Sequence, residues 1–297
     1  MYKNFLNLIK FTKLNHSIKN LIIIFPILAS GTPLKEIELK IFIVGFVALV
    51  LLTSACYIIN DLKDRITDRF NKLKKNKVLF SKKTSYIIFF IYIFFLFLLI
   101  LIFNELRFFT LLFYFLNFLI YNFLGKKIKY LDIILLTNFY NLRILFGSEI
   151  FDIQPTFGFI LLSFFIFFLL SVSKRIIQVN VNNLKTKNKI ISYSKKDLEK
   201  LFLIFRVSCY LINLILIVYY LQYFDLLYFN ILSTLIFLGT DLAVYKIFLT
   251  HIIFLIYYLY LEKSLKQKKI KLDIFDFIIK NKINYITLVL FIFMFYY

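Results

Sequence analysis

The stretch IFIVGFVALVLLTSACYIINDLKDRITDR, residues 41–69, decides how this chain is to be read. Its first part, Ile41 to Ile59, carries no charge and matches the ~20 residues a helix needs to cross a bilayer core. Its second part, Asn60 to Arg69, is a dense run of charge attached directly to that apolar segment. At about 100° per residue, a helix puts Asn60 at 0°, Asp64 near 40°, Asp68 near 80° and Asp61 near 100°, so one face carries an amide and three carboxylates. Carboxylates packed so closely repel one another unless a cation neutralises them. Oxygen-only donors favour a hard ion such as Mg2+, commonly bridged to substrate phosphates. The residues therefore read as a metal–diphosphate site at a membrane surface; the plainer alternative is a solvated loop end.

Composition extends the membrane reading to the whole chain. Of 297 residues, 61% are hydrophobic, with 40 Phe and 21 Tyr against 6 Gly and 3 Pro, more apolar surface than a soluble fold of this size needs. Spans are expected at Leu21–Ser30, Ile41–Ile59, Ser85–Phe103, Phe108–Leu124, Leu131–Ser148, Thr156–Ser173, Leu201–Leu221, Val244–Leu261 and Ile283–Tyr297. This is an all-α polytopic membrane protein of about nine spans in a single domain over residues 1–297. The segment from Leu226 to Leu238 is read as interfacial or re-entrant, because a further crossing there would move the last basic loop to the opposite side. Long polar loops are expected at Asp61–Lys83, Lys174–Lys200 and Glu262–Lys282.

The net charge of +21 has a membrane explanation. Of 37 Lys and Arg, only Lys35, Lys40, Arg107 and Lys246 fall opposite the N-terminal side, and Arg143 and Arg206 fall within spans. Such asymmetry places the N-terminus and the long loops in the cytoplasm, with the cell (inner) membrane as the expected location. It also removes the need for a nucleic-acid partner. Cys56 and Cys209 lie in spans and suggest no disulfide framework. His16 and His251 stand alone and are assigned no chemistry. There is no glycine-rich phosphate loop, nucleophile elbow or zinc spacing.

The remaining polar clusters fall on the same side as the acids. They are Lys74, Lys75 and Lys77; Tyr121, Lys126 and Lys127; and Lys174, Arg175 and Tyr193. A polyanion held between metal and these cations follows the usual handling of phosphate charge; each lysine also simply satisfies the positive-inside rule. Arg143 lies about 16 Å along its helix from Asp132, near mid-membrane, where a guanidinium needs a polar cavity or a partner; Asn138 and Asn141 are candidates to line it.

The run Asn-Asp-x-x-Asp-x-x-x-Asp at the end of a span resembles the first aspartate motif of the UbiA-type intramembrane prenyltransferase superfamily. It is closest to the phosphoribosyl-transferring branch, the decaprenyl-phosphate phosphoribosyltransferases. Lys19-Asn20, Asn60 to Arg69, the Lys74, Lys75 and Lys77 run, the spacing of Tyr121, Lys126, Asp132, Arg143 and Gly147, and Lys174-Arg175 followed by Tyr193 are all similar to that branch. Gly239 to Leu242 and Tyr258 to Leu261 are similar to its C-terminal third. The chain departs from it at Asn71-Lys72 and Lys77-Val78, where the branch has His-Pro and Arg-Pro. It departs again at Gln178, where a glutamate is usual, and at Tyr257, where an arginine is common.

The resemblance implies helices around a cavity open to the cytoplasm and the bilayer, Mg2+ held by Asn60, Asp61, Asp64 and Asp68, and transfer from phosphoribosyl diphosphate to a polyprenyl phosphate. Substrate contacts would come from Lys19, Asn60, Arg69, Lys74, Lys75, Lys77, Tyr121, Lys126, Arg143, Lys174, Arg175, Gln178 and Tyr193. The alternatives are a prenyltransferase using an isoprenyl diphosphate and an aromatic or other acceptor, and an inactive scaffold or transporter on the same fold. Prenyltransferases of this superfamily usually carry a second Asp-x-x-x-Asp, whereas the loop Lys174–Lys200 has only Asp197 and Glu199.

Overall fold

A computed structural model describes residues 11–30, 39–65, 80–103, 108–182, 193–231 and 240–267. Among these the regular structure is all helix. An eleven-residue 3-10 helix, Leu14–Ile24, runs into α1 (Phe25–Ser30). There follow α2 (Leu39–Lys63), α3 (Lys82–Ile102), α4 (Phe108–Phe123), a 3-10 turn at Gly125–Lys127 and α5 (Leu131–Ile150). Then come α6 (Phe157–Asn182), a 3-10 turn at Lys195–Asp197, α7 (Leu198–Ile231) and α8 (Thr240–Lys266). Five stretches among the described residues are long and apolar enough to cross a membrane: Leu39–Lys63, Lys82–Ile102, Phe109–Lys127, Phe157–Asn180 and Lys195–Val218. The expected last span, Ile283–Tyr297, lies outside the described residues.

The chain divides into two compact units, the first holding everything up to Pro155 and the second beginning at Thr156. In the first, the core gathers Ala48, Leu49, Leu52 and Cys56 of α2, Leu96 of α3, Leu111, Tyr114 and Phe118 of α4, and Phe146 and Ile150 of α5. Steps of three and four residues mark one buried stripe per helix. The opposite stripe of α3, with Phe90, Phe94, Phe97 and Leu101, is exposed. In water such a face would aggregate; in a bilayer it is the surface that meets lipid. Ser81 opens α3 by accepting the Thr84 N–H at 3.0 Å.

The 3-10 helix begins earlier than the span expected from Leu21. Its three-residue period brings Asn20 and Ile23 to one buried side, which Pro26 and Ile27 of α1 continue. At ~2.0 Å per 3-10 residue and ~1.5 Å per α residue, this helix and α1 together extend about 31 Å, roughly a bilayer core from a short segment. Gly147 of α5 permits the close approach. A Cβ placed there would stand 2.1 Å from the carbonyl oxygen of Ile23.

In the second unit, α6 and α7 pack through Val172, Ile176, Leu201 and Phe205, and Phe205 stacks on Tyr258 of α8 at 5.4 Å. Glu262 of α8 accepts from Arg206 at 3.0 Å and from Lys266 at 2.7 Å, tying α8 to α7. Three expected boundaries change. First, α6 continues through Asn182, so Lys174, Arg175 and Gln178 lie on a helix rather than in a polar loop. The reason is that Ile176, Ile177 and Val179 continue the buried pattern past the charges. Second, α7 runs 34 residues to Ile231, so the first part of the segment expected to be interfacial is a continuation of that helix; residues 232–239 lie outside the described residues. Third, Glu262 to Lys266 belong to α8 rather than to a loop.

Candidate active site

The acidic motif begins inside α2, as its helical reading requires, and the helix carries Asn60, Asp61 and Lys63 before it ends. Asn60 and Asp64 are four residues apart and so share a face. Both oxygens converge on one ammonium: Lys126 Nζ lies 2.6 Å from Asn60 Oδ1 and 2.7 Å from Asp64 Oδ2. Asp61, turned farther round the helix, points elsewhere. Its Oδ1 is 2.8 Å from Lys13 Nζ, and the residue is only 2% exposed. The acid face is thus divided into two cation-binding positions.

Each lysine is positioned by further contacts. Lys13 also lies over the ring of Tyr57, 4.7 Å from its centroid, and Tyr57 sits one helical turn before Asp61. Its backbone adopts φ 55°, a left-handed conformation that costs a lysine energy and persists only where neighbours fix it. Lys126 sits on the 3-10 turn after α4, 5.8 Å from the ring of Tyr121. Tyr121 meets Phe139 edge-on at 5.8 Å, and Phe139 lies 5.0 Å from Tyr114. Lys63 donates to the backbone carbonyl of Asn122 and covers the Phe123 ring at 4.1 Å. The side chain of Asn122 is buried, and neither atom of its amide has a partner among the described residues.

Arg143 is held at the far end of this aromatic row. Its Nε donates to Asn20 Oδ1 at 2.9 Å, one terminal nitrogen to the Phe139 carbonyl at 2.8 Å and the other to Tyr114 Oη at 2.7 Å. Asn20 passes the chain on to Thr53 Oγ1 at 3.2 Å, and Thr53 donates to the Leu49 carbonyl at 2.7 Å. Arg143 therefore binds together the 3-10 helix, α2, α4 and α5, and its neutral partners satisfy a cation that would otherwise be prohibitive at that depth. The partners that a mid-membrane guanidinium requires are present and include Asn20 and Tyr114. Lys19 precedes Asn20 on the same 3-10 helix and is half-buried.

Lys174, Arg175, Gln178 and Tyr193 belong to the second unit. Arg175 is buried and donates to Gln178 Oε1 one turn along α6. Tyr193 is also buried, just before a capped helix start. There the N–H and hydroxyl of Ser194 donate to Asp197 Oδ2 at 2.7 and 2.8 Å. Asp68, Arg69, Lys74, Lys75 and Lys77 lie outside the described residues. Sequence reasoning overlooked three contributors. Tyr57 carried a signal, its position one turn from Asp61; Lys13 carried only membership of a basic N-terminus; Asn122 carried none beyond its place beside Tyr121.

Among the described residues no group of three or more His, Cys, Asp and Glu surrounds a metal position. The donor set nevertheless fits a hard ion. An amide oxygen and a carboxylate oxygen already converge on a cation, and Mg2+ needs only one or two protein carboxylates when phosphates and water complete its shell.

Apolar helices with the length of a bilayer crossing, joined to a half-buried acid face neutralised by lysine, define an integral membrane protein built to hold charge at the membrane surface. The chain belongs to the UbiA prenyltransferase family, whose sequence model matches residues 21–275, and is accordingly a membrane transferase. It is similar in fold to a solved structure of digeranylgeranylglyceryl phosphate synthase in membranes. The TM-score is 0.59 at 16% identity, over 99% of this chain and 98% of that one. Comparison with curated proteins gives no match.

Proposed function

We propose that the protein transfers a 5-phosphoribosyl group from phosphoribosyl diphosphate to a polyprenyl phosphate, releasing diphosphate, with residues 1–297 acting as one domain. The observation that carries this reading is the use made of Asp197. Of the two acids between Lys174 and Lys200, it is committed to the Ser194 cap, which leaves no second acid pair of the kind used with isoprenyl diphosphates.

In the proposed reaction the bond from the anomeric carbon to the diphosphate breaks, and a bond from that carbon to a lipid phosphate oxygen forms. Asn60, Asp61, Asp64 and Asp68 would hold Mg2+, which when bound neutralises the departing diphosphate. Lys126, Lys74, Lys75 and Lys77 would supply cations for the phosphates, with Lys19, Arg69 and Tyr121 as further proposed substrate contacts; Lys174, Arg175, Gln178 and Tyr193 are proposed as substrate contacts on the family resemblance alone. Arg143 supports the site by fixing the helices around it. Enclosure by apolar helices keeps water from intercepting the electron-poor carbon. The positive-inside pattern supports a cytoplasmic active site in the cell (inner) membrane.

A second reading rests on the family and on the similar structure, whose name is that of a synthase of an isoprenoid lipid phosphate. It is transfer of a prenyl group from an isoprenyl diphosphate. Purified protein in detergent with Mg2+ and polyprenyl phosphate separates the two. Labelled phosphoribosyl diphosphate is expected to yield lipid-soluble label. Label appearing only from an isoprenyl diphosphate with an aromatic acid would establish the second reading, and label from neither a scaffold.

Gln178 gives a further prediction. Because its oxygen already accepts from Arg175, Gln178→Glu keeps that contact while exchanging the amide donors for a second, charged acceptor oxygen, and turnover is expected to change by less than about tenfold, ~1.4 kcal/mol in the barrier. A larger rise in the same assay would mean that the carboxylate performs a step the amide cannot.

A further inference from the structure

We infer that Lys13 and Lys126 are resident counter-cations of the acid face, and that they make the metal and the diphosphate bind together instead of the metal first. The inference rests on reading Asn60 to Asp68 as a metal–diphosphate site. It concerns an order of events that the donor set alone does not specify.

Asp61 and Asp64 are paired with Lys13 and Lys126 at 2.8 and 2.7 Å, so these two carboxylates are balanced before any ligand arrives. The pairs are poorly hydrated: side-chain exposures are 3% for Asp61, 14% for Asp64 and 11% for Lys126. In such surroundings a net charge is much more costly than in water. A divalent ion arriving alone adds two positive charges beside two carboxylates that already have counter-cations. It must also compete for Asn60 Oδ1 and Asp64 Oδ2, which Lys126 already engages, and repels the ammonium it displaces.

A diphosphate arriving with the metal removes both objections. It brings negative charge of its own, and its oxygens offer the displaced ammonium groups new acceptors. Lysine suits this exchange because its ammonium is a compact charge on a flexible stem. The Lys13 side chain is 22% exposed, which leaves it room to turn from Asp61 toward a ligand. Its left-handed backbone fixes where the stem leaves the chain, and the Tyr57 ring under Nζ gives the ammonium a second contact beside Asp61 from which it can change partner. Each ligand thus creates the conditions for the other, and the coupling must be reciprocal.

The test is equilibrium dialysis of the detergent-solubilised full chain against Mn2+, with and without inorganic diphosphate, counting manganese in excess of the dialysate. Wild-type protein is expected to half-saturate at a manganese concentration at least about tenfold lower with diphosphate present. Lys126→Met is expected to bind Mn2+ alone about tenfold more tightly than wild type and to lose most of the diphosphate effect; Lys13→Met is expected to shift in the same direction. Equal wild-type affinities with and without diphosphate would overturn the inference, whatever the behaviour of the variants. So would folded lysine variants that bind Mn2+ alone no more tightly than wild type. Asp64→Asn tests the underlying reading separately. If it retains wild-type, diphosphate-dependent manganese binding, the acid face is not the metal site.

Discussion

Asp64→Asn is expected to lower turnover by at least about a hundredfold while leaving the helices in place. The substitution is nearly isosteric and keeps an oxygen that Lys126 can donate to, so the contact between the end of α2 and the turn after α4 is preserved in shape. What disappears is the negative charge. A neutral amide binds a hard cation weakly, and the charge developing on a departing diphosphate would lose a metal ligand. Label transfer from phosphoribosyl diphosphate measures the loss, and circular dichroism with the thermal midpoint in detergent measures the fold. Unchanged turnover would remove Asp64 from the site.

The second large effect is structural. Gly147→Ala places a carbon 2.1 Å from the Ile23 carbonyl oxygen and 2.9 and 3.0 Å from the carbonyl and α-carbons of the same residue. These are backbone atoms and cannot rotate away, so the 3-10 helix must separate from α5. A loss of about 3 kcal/mol or more is expected, at the upper end of what overpacking costs. The contact of Asn20 with Arg143 lies one turn away and would be pulled apart with it. Gly45→Ala is the control: its added carbon meets Ile150 Cδ1 at 2.6 Å, the free end of a side chain that can turn aside. Thermal midpoints in detergent should fall well below wild type for the first and only slightly for the second. Equal losses would show that the approach of the 3-10 helix is not the constraint.

The acid face was legible because it is local. Asn60 and Asp64 share a face by helical geometry alone, and the uncharged run before them makes the helix a crossing. The split between Asp64 and Asp61 was not legible: about 60° of helix separates them, close enough to read as one face, and it is their different lysines that divide them. Their lysine partners were not legible as partners. Lys13 and Asp61 are 48 residues apart, and nothing in either neighbourhood encodes the approach of the 3-10 helix. The helical extension at Lys174 was hidden by a different cause. Charges suggested a loop, but burial of Ile176, Ile177 and Val179 outweighed them, and no glycine or proline stands there to end the helix. Arg143 was recognisable by depth, while its partners required three other elements to converge.

The length of α7 also bears on which bilayers suit the protein. Thirty-four residues at ~1.5 Å each make a rod of about 51 Å, against a hydrocarbon core of ~30 Å. Even a 40° inclination, the upper end of the usual range, leaves about 39 Å along the membrane normal. The helix must therefore extend into the headgroup layer on at least one side. Hydrophobic mismatch then makes the inclination of α7, and of the α6 and α8 residues packed on it, responsive to membrane thickness, so lipid composition becomes a mechanical input to the second unit.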